Sequence, residues 1–266
     1  MGVDRATLKT ICFGVLGALF LLAPQALREL YDISIPFLWW FISNGTIYVK
    51  VFFHELGHAF FYYFYGHPGL PMFLPGGGGL TIGTEQFIPL ALGMSALLFY
   101  TTRLNRDNGF WFWLVACLLV FQLVTFFTDF HESVIGFMGH GTEIILGGYM
   151  LYRALLDLAK NFVERCANAL FGFFMIFFNL YQGWGIAFVP EIRENYTVSC
   201  AMMPGVSMAD FVKIAENLNV PLHMVGLFAF GCALVALIVP FILWERDEDW
   251  YEESEEKFPA PPSPDF

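Results

Sequence analysis

Apolar residues gather into seven long runs, at about 10–24, 37–65, 87–101, 110–128, 134–156, 166–189 and 222–244, with short polar segments between them. A helix that crosses a bilayer needs about 20 mainly apolar residues. Runs of this length predict an all-α polytopic membrane protein with about seven transmembrane helices. The 87–101 run is short and predicts a tilted or partly re-entrant helix. The first run also has the layout of a signal peptide, a basic start and then "CFGVLGALFLLA". The following "PQALREL" lacks a small-x-small cleavage pattern, which favours a retained helix. Arg5 and Lys9 favour a cytoplasmic N-terminus, while Arg103, Arg106 and Lys160 in later connections pull the other way, so orientation stays open.

Two connections carry their own pattern. "YGHPGLPMFLPGGGGLTIGTEQF" contains the four glycines Gly76–Gly79. Glycine permits positive φ and close backbone approach, and the flanking "MFL" and "LTI" read as short strands around a turn. The expectation is a Gly-rich re-entrant loop or β-hairpin between the second and third helices, with a flexible surface loop as the alternative. The second connection, 190–221, reads as a loop.

Composition agrees with the runs. The 266 residues are 57% hydrophobic and only 14% charged, with a mean hydropathy of +0.60; soluble domains are about a quarter charged. The net charge of −11 comes largely from the end of the chain, "WERDEDWYEESEEKFPAPPSPDF". Acid-rich and then Pro-rich, residues 245–266 predict a disordered tail, either solubilising or a docking segment for a membrane complex. Residues 1–244 are then a single polytopic membrane domain. No basic stripe points to nucleic acid. The five cysteines lack zinc-knuckle spacing and form no disulfide framework; Cys200, in the loop, is a candidate reactive thiol.

Candidate chemistry lies where lipid should exclude it. "VFFHELGHAFFYYF" puts His54, Glu55 and His58 in an apolar run, at a cost unless they are paired or liganded. His54 and His58 are one helical turn apart on one face. Imidazoles so spaced can grip Zn²⁺ while the intervening Glu55 handles the proton of a water. The bland alternative is three satisfied core polar groups. Lys50, one turn earlier, either snorkels or holds an acidic partner.

A catalytic zinc site usually has three protein ligands and an open position. "FFTDFHESVIGFMGHGTEIILGGYM" supplies candidates, with Asp129, Glu132, Gly136, His140, Glu143 and Gly147 on one helical face. Asp129 and His140 are about 16 Å apart along a continuous helix, too far to share an ion. His140 or Glu143 is one choice of third ligand, the other acting as outer partner or catalytic group; Asp129 is the competing choice. Asn179 and Gln182 predict interhelical hydrogen bonds.

"HELGHAFFYYFYGHPGLPMFLPGGGGLTI" resembles the core of site-2-protease-type intramembrane zinc metalloproteases, in which an HExxH helix precedes a Gly-rich loop or hairpin near the active site. The likeness covers about residues 45–156 and is to a divergent, bacterial-like member. It implies His54 and His58 as zinc ligands, Glu55 as catalytic base and Gly76–Gly79 facing substrate. The family's third ligand is an aspartate in an Asn-Pro…Asp-Gly context. No Asp-Gly occurs here, and Asp129 in "FFTDFHES" resembles the aspartate of divergent bacterial members.

The resemblance implies a multi-pass enzyme, in a bacterial inner membrane, that cuts a transmembrane protein substrate within the lipid bilayer. Two other functions fit the same residues. One is a protease-like scaffold serving as a non-catalytic subunit of a membrane complex. The other is a transporter using the His/Glu cluster as an ion relay.

Overall fold

The computed structural model describes residues 5–31, 33, 35–74, 78–201 and 209–257. Helices dominate: α1 (Arg5–Tyr31), α2 (Phe37–Phe64), then a hairpin of β1 (Gly69–Leu74) and β2 (Gly78–Gly83), then α3 (Ile88–Leu104), α4 (Gly109–Phe126), α5 (Phe130–Leu155), α6 (Phe162–Phe188), α7 (Pro190–Ala201), α8 (Asp210–Leu218) and α9 (Leu222–Lys257). All seven apolar runs fall on helices.

Among the described residues only four helices are long and apolar enough to cross a membrane, within Arg5–Arg28, Gly109–Phe126, Phe162–Phe188 and Leu222–Arg246. This corrects the expected seven. The reasons differ between the other three. Helix α3 has 17 residues, while α2 and α5 are long but diluted by their own polar groups, Lys50, Glu55 and two histidines in one and His140, Glu143 and Arg153 in the other. The expected 190–221 loop is corrected too: it contains α7 and α8. The acidic stretch continues α9 to Lys257, and the Pro-rich residues 258–266 lie outside the described residues.

The chain divides into two compact units: Met1–Ile33 with Ile144–Phe178 and Cys232–Phe266, and Ser34–Glu143 with Asn179–Gly231. In the first, Gly14 and Gly17 leave no room for a Cβ beside Ala169, Leu170 and Phe173. Close packing of α1 on α6 follows, as small residues allow between membrane helices. Arg165, 6% exposed, pins this unit. Its Nε donates to the Ala154 carbonyl, its Nη2 donates to Thr7 Oγ1, and its Nη1 is 3.1 Å from Asp157.

The second unit holds every candidate chemical group. Helix α2 ends in a Schellman motif: Gly66, at φ +83°, lets its own N–H reach the Tyr63 carbonyl and the His67 N–H reach Tyr62. A side chain at Gly66 would meet Ala91 of α3. Gln122 of α4, fully buried, donates to the Phe64 carbonyl at 2.6 Å, closing another open carbonyl of α2. Tyr65 and Thr125 share a 2.7 Å hydroxyl hydrogen bond. These contacts fix where α2 stops and the hairpin starts.

The hairpin pairs antiparallel from Gly69 with Gly83 to Leu74 with Gly78. Alternation sends one face onto α2. Gly69 and Gly83 abut the Tyr62 ring and Gly79 abuts Glu55, while Leu70, Met72 and Ile82 on the other face are exposed. Gly76 and Gly77 at the tip lie outside the described residues.

Candidate metal centre

Glycine again decides the approach of α2 to α5. A Cβ at Gly57 would strike the Met138 carbonyl and Thr142, and one at Gly139 would strike the His54 and His58 rings. With neither present, the two backbones close up. His58 Nδ1 then donates to the Ile135 carbonyl of α5 at 2.8 Å. His54 Nδ1 donates to Glu143 Oε1 at 2.9 Å.

In the neutral rings, an Nδ1 that donates leaves its Nε2 with a lone pair. The two Nε2 atoms lie 3.0 Å apart. Asp210 completes a triangle: its Oδ2 is 2.9 Å from His54 Nε2 and 3.2 Å from His58 Nε2. Three electron-rich atoms at this spacing repel one another unless a proton or a cation lies among them. Zinc bonds nitrogen at about 2.0–2.1 Å and carboxylate oxygen at about 2.0–2.2 Å, so one ion can touch all three. The donor set, two imidazoles and one carboxylate, is therefore a fit for such an ion. Asp210 supplies the carboxylate of this set from the first residue of α8. Its side chain keeps 29% exposure, which leaves an approach to the centre.

A second group lies behind the first. His140 and Glu143, 3% and 0% exposed, form with His54 another set of donors within reach of one ion. In this set the protons are matched. His140 Nδ1 donates to Asn179 Oδ1 at 3.1 Å, and Asn179 Nδ2 donates to Glu143 Oε2 at 2.8 Å. Lys50 Nζ meets Glu143 Oε1 at 2.8 Å. His140 Nε2 faces Asp210 Oδ2 from 4.0 Å. Glu143 thus orients His54, as outer carboxylates commonly orient metal-bound histidines.

Of the residues singled out in the sequence, His54, His58, His140 and Glu143 meet here. Of the two readings of Lys50, snorkelling or an acidic partner, the structure shows the partner, Glu143, and Asn179 bridges α6 to α5. Glu55, 4% exposed, turns towards β2, where Thr81 Oγ1 donates to its Oε2 at 2.7 Å. Asp129 is not brought in: it is exposed in the turn between α4 and α5 and belongs to neither donor group. The side chain of Cys200 lies outside the described residues.

Sequence reasoning missed Asp210. It opens α8, a nine-residue amphipathic helix whose Phe211, Ile214 and Ala215 are buried with Ile186, Val225 and Ala229. Isolated helices of this length are marginal, so this apolar contact is what holds α8. The periodicity of "DFVKIAENL" was the available signal. No protein-family model, curated protein or solved structure matches this chain. The described residues are mainly helical with one hairpin, four of the helices are long and apolar enough to cross a membrane, and the site is a buried cluster of histidines and carboxylates with the spacing to hold a metal ion.

Proposed function

We propose that the chain is a multi-pass, zinc-dependent intramembrane endopeptidase, with His54, His58 and Asp210 as metal ligands and Glu55 as its acid–base residue. One observation carries this reading: two imidazole Nε2 atoms and a carboxylate oxygen converge within 3.2 Å while both Nδ1 atoms meet oxygen acceptors elsewhere. Two nitrogens, one oxygen and an open position match the usual catalytic zinc set. A zinc ion there would supply Lewis acidity, polarising a peptide carbonyl and lowering the pKa of a water to about 7.

The remaining work falls to the chain. Glu55 takes the proton of the attacking water and passes it to the leaving amine. Thr81 holds the Glu55 carboxylate in one orientation, and the hairpin presents an unwound stretch of a transmembrane substrate, because an intact helix hides its carbonyls in hydrogen bonds. The setting is a lipid bilayer, a bacterial inner membrane, with the acidic tail as a docking segment for a complex. The test is cleavage of a model transmembrane substrate in liposomes by wild type and by Glu55→Gln. Loss of cleavage with metal retained is expected; cleavage that survives the change removes Glu55 from the mechanism.

A second reading has its own support. Glu55 is nearly fully buried and its carboxylate is engaged by Thr81, as suits a scaffold whose metal serves only stability. That reading expects bound zinc and no cleavage of any transmembrane substrate offered.

A further inference from the structure

His54 is shared by two donor groups, and they differ in what already balances their charge. In the group with Asp210, three acceptor atoms face one another. In the group with His140 and Glu143, a cation is already resident: Lys50 Nζ is 2.8 Å from Glu143 Oε1, the same oxygen that accepts from His54 Nδ1. Lys50 is itself only 5% exposed and Glu143 0%. An ammonium is a compact point charge with three donors, so it supplies what a buried carboxylate needs without taking the imidazole lone pairs.

We infer that Lys50 is a positioning residue that reserves Glu143 as the hydrogen-bond acceptor of His54 and thereby confines the metal to His54, His58 and Asp210. The inference rests on the metal-site reading above. Glu143 has three good donors around it: Lys50 and His54 on Oε1 and Asn179 on Oε2. Together they nearly fill the roughly four acceptor positions of a carboxylate. Taking Lys50 away leaves a negative charge in a buried place, beside two histidines, with no fixed positive charge against it. A divalent ion is the natural replacement. Glu143 then competes with Asp210 as the ion's carboxylate ligand, and His140, 3.7 Å from Glu143 Oε2, is placed to join it.

The test compares the zinc affinity of the detergent-purified protein, by competition with a chromophoric chelator, for four chains: wild type, Asp210→Asn, Lys50→Met and the double variant Lys50→Met/Asp210→Asn. In the wild-type background Asp210→Asn is expected to weaken zinc binding by well over tenfold, since even outer partners are worth about 10–100-fold. In the Lys50→Met background the same change is expected to cost at least about tenfold less, and X-ray absorption of bound zinc should show a changed ligand set. Adding Glu143→Gln to Lys50→Met should restore the full dependence on Asp210. Equal losses in both backgrounds overturn the role of Lys50 and leave the metal site standing. Full zinc affinity in Asp210→Asn alone overturns the site and the inference with it. If Lys50→Met does not fold, Lys50→Gln keeps a donor to Glu143 without the charge and is read in the same way. Lys50→Arg should behave as wild type.

Discussion

The buried ring of Phe211 links the packing of α8 to the metal centre, and Phe211→Ala tests that link. The side chain is 1% exposed, with its ring centroid 4.3 Å from that of His140 and 6.0 Å from that of Tyr196. Phe→Ala at a buried position costs about 3–5 kcal/mol. Phe211, Ile214 and Ala215 are the buried residues of this nine-residue helix, so most of that cost falls on the docking of α8. Asp210, the residue just before, loses its place beside His54 and His58 to the same degree. At about 1.4 kcal/mol per tenfold, zinc affinity should fall by at most two to three and a half orders of magnitude. The readout is competition against a chromophoric chelator in detergent, with circular dichroism confirming that the long helices persist. Val225→Ala, in the same apolar cluster but on α9, removes packing without moving a ligand and should change zinc affinity far less. A Phe211→Ala protein that is thermally destabilised yet binds zinc within about twofold of wild type would show that α8 docking does not govern the site.

Three further outcomes are expected. Gly139→Ala should abolish metal binding, measured as metal per chain by mass spectrometry, because its Cβ would strike both ligand rings; Gly93→Ala, with nothing within 4 Å, should be tolerated and gain up to about 1 kcal/mol in helix propensity. Gly79→Ala puts a methyl group into the Glu55 carboxylate and should cut cleavage by about a hundredfold, the effect of roughly 1 Å of misplacement, with zinc content unchanged. Asp129→Ala should leave metal content as it is, since the residue is exposed and outside both donor groups; loss of metal would return Asp129 to the site.

Much of the scaffold was legible because it is written locally. Apolar runs mark all seven long helices, since burial or lipid contact acts on every residue of a helix and leaves a continuous trace. "PMFLPGGGGLTI" carries two strands around a turn. The histidine pair is legible for the same reason: the helical repeat places i and i+4 on one face wherever the helix goes. The number of spans was not legible by counting runs, because a run can be long and mostly apolar while the polar groups inside it lower its average below that of a spanning helix.

The chain by itself therefore determined that two imidazoles stand together in an apolar helix, that a glutamate sits between them, and that some compensating charge must exist nearby. Only the tertiary structure decided what that compensation is. Asp210 lies 152 residues from His58, in a stretch that reads as a loop, and Glu143 and Lys50 settle their pairing only once Gly57 and Gly139 let two helices touch. The physical reason is that secondary structure follows the short-range periodicity of the backbone, whereas coordination depends on distances between side chains that only packing brings within a few ångströms.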